Sequence, residues 1–126
     1  MNKMTLSIPA KQEWLLVLRS ALNGVGVIAK MSVEMIDDLR SAADEAFNLL
    51  THQSHLIQHI ELACEVHDDI LSVHLSVERA FAAQQCVPVD PEVAHLIIGS
   101  FVTNVHLEGD SCGIYSVHMK LPAGKE

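Results

Sequence analysis

Ile36-Asp37-Asp38-Leu39-Arg40-Ser41-Ala42-Ala43-Asp44-Glu45-Ala46-Phe47-Asn48-Leu49-Leu50 is the stretch on which the reading of this chain turns. Set about 100° apart on a helix, Ile36, Leu39, Ala43, Phe47 and Leu50 form one apolar stripe. Glu34, Asp37, Asp38, Ser41, Glu45 and Asn48 lie opposite them, which by itself describes a solvated acidic face. Ser32 is placed to cap the helix, and Glu34, Asp37 and Asp38 put negative charge near its positive dipole end.

The flanking sequence supplies a sheet for that stripe to cover. Upstream, Thr5 to Ile8 reads as a short strand stopped by Pro9, which cannot donate to a ladder. Trp14, Leu15, Val17, Leu18, Ala21, Leu22 and Val25 recur at helical spacing. Trp14, Leu15, Leu18 and Leu22 can face the sheet, whereas Leu16, Val17, Val27 and Ile28 carry apolar character beyond one stripe. Downstream, Ile60, Leu62, Cys64 and Val66 alternate onto one strand face, as do Leu71, Val73, Leu75 and Val77. His67-Asp68-Asp69 between them has turn chemistry. After a loop around Gln84 to Val89, Asp90-Pro91-Glu92 reads as a helix start with an aspartate cap, and Val93, Leu96, Ile97 and Phe101 as that helix's stripe. A last hairpin pairs Val105-His106-Leu107 with Ile114 to Leu121 across Glu108-Gly109-Asp110. The order is β-α-α-β-β-α-β-β. It predicts an α+β fold: a two-layer sandwich with helices on one face of a mostly antiparallel sheet.

Composition bounds the function. The 126 residues fit one domain, 1–126, with no linker, repeat or low-complexity tract. No apolar run approaches the roughly 18 residues of a membrane span, and the N-terminus lacks a secretory h-region. Cys64, Cys86 and Cys112 are widely spaced and form no CxxC pair, so they read as thiols in a reducing compartment; a cytoplasmic setting is expected. A net charge of −8 builds no basic patch for nucleic acid.

Taken in order and spacing, several pieces resemble the bacterial anti-sigma-factor serine kinases, of the histidine-kinase-like ATPase superfamily with its Bergerat ATP-binding fold. Leu6-Ser7-Ile8-Pro9-Ala10 is similar to that family's first strand and entry to its first helix, and Ile36 to Arg40 to the acidic start of the second. Glu108-Gly109-Asp110 leading into Tyr115 to Leu121 is similar to its last hairpin. The resemblance implies an ATP site with magnesium, in which a helical glutamate is followed four residues on by a metal-holding asparagine. Glu45 matches the glutamate and is the candidate catalytic base, but the fourth residue on is Leu49, with Asn48 one position early. The adenine-reading Asp-x-Gly falls on Ser76-Val77-Glu78, and the phosphate-cradling Gly-x-Gly on Glu92-Val93-Ala94 after Pro91. The cofactor positions are thus Asn48, Leu49, Ser76, Glu78 and Ala94, all departing from the pattern.

The expectation is a regulatory protein of the anti-sigma-factor type, acting by protein–protein binding with its ATP site eroded. A sigma factor or an antagonist protein is the implied partner, and a homodimer the implied assembly. The alternatives are an ATP-dependent serine/threonine kinase of the same family, and a metal- or small-ligand-sensing domain. For the last, His59, Glu61, Glu65 and His67 would share a strand face near His74, and His52 and His55 have HxxH spacing. No spacing matches a structural zinc site, and a flat sheet face spreads ligands apart, so no metal is assigned.

Overall fold

The computed structural model describes residues 3–53, 56–79, 91–110 and 112–124. Alternating apolar and polar residues build β1 (Met4–Pro9), β2 (Ile57–His67), β3 (Ile70–Arg79), β4 (Asn104–Asp110) and β5 (Gly113–Pro122). Helical periodicity builds α1 (Leu15–Ile28), α2 (Val33–Thr51) and α3 (Glu92–Gly99). A short 3-10 turn, Gln12–Trp14, leads into α1. The order matches the expected β-α-α-β-β-α-β-β.

The strands form one sheet in the order β1-β2-β3-β5-β4, with every neighbouring pair antiparallel. α2 packs over β3 and β5, α1 lies against α2, and α3 bridges α2 and β4. Between the layers sit Leu18, Leu22, Leu39, Phe47, Leu50, Ile60, Leu62, Leu71, Leu75 and Met119, all essentially without solvent contact. Because Leu71, Val73 and Leu75 point into this core, pleating sends Ser72, His74, Ser76 and Glu78 to the sheet's opposite face.

Local chemistry explains most boundaries. Ser32 caps α2, its hydroxyl accepting from the Met35 amide at 3.2 Å. Asp68 and Asp69 turn the β2–β3 hairpin with φ of 53° and 61°, the left-handed pair of a two-residue primed turn. Arg19 clamps α1 to α2 through two bonds to Asp44, at 2.8 and 2.9 Å.

Four expectations are corrected. Pro9 is itself the last residue of β1, opposite His59, one residue beyond the expected end at Ile8, since an edge strand tolerates a missing donor. Glu108-Gly109-Asp110 is not the final turn but the end of β4, with a register shift between Glu108 and Gly109. α3 turns Val93, Leu96 and Ile97 outward, 63%, 66% and 39% exposed, and buries Ile98 instead. A helix apolar all round gives periodicity no face to choose. Finally, Cys112 is disulfide-bonded, so the free-thiol reading holds for Cys64, whose burial raises its pKa to about 12. Distance along a chain says nothing of distance in space. Cys86, Asp90 and the loop from Gln84 to Val89 lie outside the described residues. Among the described residues, no helix is long and apolar enough to cross a membrane.

Candidate functional site

α2 sets the geometry. Asp44 is committed to Arg19 on the flank facing α1, and this pairing raises the Arg19 pKa through the hydrogen bond and the attraction of opposite charges. Glu45 comes about 100° further round and Leu49 four residues on, so both lie on the flank away from α1. That is the flank left for α3, the helix that carries Ala94. Glu45 is half-buried, Asn48 exposed and Ala94 half-buried. Leu49 is half-buried and packs against the core.

The end of α2 is tied down strongly. The Thr51 hydroxyl donates to the Phe47 carbonyl at 2.7 Å, and the His52 ring lies 2.9 Å from the Asn48 carbonyl through Nδ1. Gln53 donates from Nε2 to the carbonyls of Leu50 and Ile114, both at 2.7 Å, joining the helix end to β5. Its Oε1 is buried and finds no hydrogen-bond partner among the described residues.

Ser76 and Glu78 are not part of this arrangement. They lie on the face of the sheet away from the helices, where both line a groove of about 580 Å3 with Ser7, His59, Glu61 and Arg79. Of Ser76-Val77-Glu78, the residue turned toward the helices is Val77, half-buried against the core. The fold therefore brings Glu45, Leu49 and Ala94 to one side of the molecule and leaves Ser76 and Glu78 on the other. A face alternates every residue along a strand, so a one-residue slip in placing a motif changes sides. α3 begins with Pro91 at its cap position, without a side-chain cap, and with Glu92 in its first turn.

The outer sheet face holds a constellation that the linear sequence does not announce. His74, His118 and His106 stand opposite one another on β3, β5 and β4. The rings of His74 and His118 are 5.5 Å apart, and His74 Nε2 lies 2.6 Å from the hydroxyl of buried Ser116. Desolvation first, then His74, Lys120 and His106, hold His118 below its ordinary pKa, with Glu108 opposing them. At the far end of β3, Arg79 pairs with both oxygens of Asp110 and lies 5.0 Å over the Tyr115 ring. The signal for the histidines was their shared strand parity, which becomes readable only once the register is known. Among the described residues, no group of three or more His, Cys, Asp or Glu is placed to hold a metal ion. His55 lies outside them.

No family model matches the chain. Over 78 residues, 60% of its length, it is 36% identical to the serine-protein kinase RsbW of Listeria innocua. The chain spans half the length of that curated relative. Its whole fold superposes with a TM-score of 0.73 on the solved RsbU and RsbW domains of Rv1364c from Mycobacterium tuberculosis, at 9% identity and over 34% of that chain. Over part of its length the chain is thus similar in sequence to a serine-protein kinase, and its fold is that of the solved RsbU and RsbW domains.

Proposed function

We propose that this is a regulatory protein of the anti-sigma-factor type that acts by binding another protein, and that its nucleotide site has been lost. One observation carries the reading: Leu49, at the position where the family's asparagine holds magnesium, packs half-buried against the core. A leucine offers no oxygen to a hard cation, which takes oxygen ligands. The remaining positions agree. Val77 presents no carboxylate to an adenine, and Ser76 and Glu78 sit across the sheet. Pro91 has no amide to donate at the start of α3, and Glu92 beside it would repel a phosphate. ATP and magnesium therefore do not fit the residues present. A sigma factor or an antagonist protein is the class of partner the relationship favours.

Calorimetric titration with Mg-ATP tests this directly, since binding weaker than about 1 mM is expected. Sub-millimolar affinity would restore the second reading, an active serine/threonine kinase. That reading is favoured by Glu45, which keeps the family's glutamate in a half-buried position, and by the activity in the Listeria relative's name. Phosphate transfer from labelled ATP to an antagonist protein, abolished by Glu45→Gln, would then decide for catalysis.

A further inference from the structure

Among the described residues no helix covers the outer face of the sheet, and its β1–β2–β3 half is hollowed. Mostly short side chains form the floor. Ser7, Glu61 and Ser76 stand in one row across the three strands, and Thr5, Ala63 and His74 in the next. The groove of about 580 Å3 that Ser76 and Glu78 line adjoins a second of about 450 Å3, and the two share Ser7, Glu61 and Ser76. Together they make one polar trough over three strands.

The charge in the larger groove is one-sided. Glu61 and Glu78 are both exposed there, and among the described residues neither has an ion-pair partner. Arg79 lines the same groove, but its guanidinium is already committed to both oxygens of Asp110. Register sets the spacing of the two carboxylates. Glu61 pairs with Ser76, so Glu78 is its diagonal neighbour on β3, roughly 7–8 Å away. Same-face side chains of an extended chain recur every second residue, roughly 7 Å apart. Basic residues at positions i and i+2 of an extended segment would therefore meet one carboxylate each, and the Ser7 and Ser76 hydroxyls could bond its backbone. A net charge of −8 repels nucleic acid, so the complementary occupant is a cationic stretch of protein.

We propose that this trough docks an extended segment of a protein partner that carries basic residues two positions apart, held by Glu61 and Glu78. The proposal rests on the reading of this chain as a protein-binding module and gives that module a surface. A fluorescein-labelled peptide, Thr-Thr-Arg-Thr-Arg-Thr-Thr, titrated with the full chain by anisotropy at about 0.1 M salt, should bind. The same composition with adjacent arginines should bind at least about threefold more weakly, because neighbouring side chains of an extended chain point to opposite faces. Glu61→Gln/Glu78→Gln should weaken the first peptide about tenfold with an unchanged circular-dichroism melt. Glu13→Gln/Glu34→Gln, exposed in the helical layer, removes the same charge and should cost less than about twofold. No binding overturns the proposal. So do equal losses from the two double variants, which would mean attraction to net charge alone, and so does indifference to the arginine spacing. Glu45, Leu49 and Ala94 lie across the sheet from the trough, so the Mg-ATP titration is untouched by these variants and the protein-binding reading survives a failure here.

Discussion

Phe47 and Glu45 are two residues apart on α2 and do opposite things. Phe47 is the largest fully buried side chain among the described residues, so Phe47→Ala should lower unfolding free energy by about 3–5 kcal/mol. Among the described residues Glu45 has no ion-pair partner and is only half-buried, so Glu45→Ala should change stability by no more than about 0.5 kcal/mol. Urea unfolding of the two variants checks both values, and a large loss from Glu45→Ala would show the carboxylate buried and partnered. This contrast was legible in the sequence, because a long helix with charged and apolar faces leaves one rotation open. The placement of Ser76 and Glu78 was not. On a strand, one residue of error in assigning a motif crosses the sheet, and nothing in the linear pattern marks the slip.

At the scale of elements, α3 is where periodicity failed. Its eight residues are apolar on nearly every side, and Ile98 rather than Leu96 goes into the core. Ile98→Ala should therefore destabilise by about 2–4 kcal/mol, and Leu96→Ala, 66% exposed, by well under about 1 kcal/mol. Equal losses in a thermal melt would mean that α3 is rotated from the position described. The final hairpin misled for a related reason. Glu108-Gly109-Asp110 has turn composition, yet a glycine inside a strand also marks a bulge, and only pairing with β5 separates the two. By contrast, α2 and the β2–β3 hairpin carried unambiguous signals: a serine cap, two aspartates able to adopt positive φ, and clean alternation.

Across the whole molecule, His118, flanked by His106 and His74, makes the sheet sensitive to acid. His118 has a folded pKa below its ordinary 6.5, so the unfolded chain binds its proton more readily than the folded one. Its contribution is intact above that value and is lost as the pH falls below it toward the lowered folded pKa. Lys120 and the two neighbouring histidines add to the effect, and Glu108 offsets part of it. Unfolding midpoints measured from pH 8 down to pH 5 should fall for the native chain and fall less for His118→Gln. The sheet order has a different consequence, for synthesis. β4 has β5 as its strand partner, and β3 meets β5 on the side away from β2. Yet β5 is translated after both. On the ribosome, β4 leaves the exit tunnel with no strand to pair with. The middle of the sheet closes only when Val117, Met119 and Leu121 arrive, so β3 and β4 both wait on a strand that follows them in the order of synthesis.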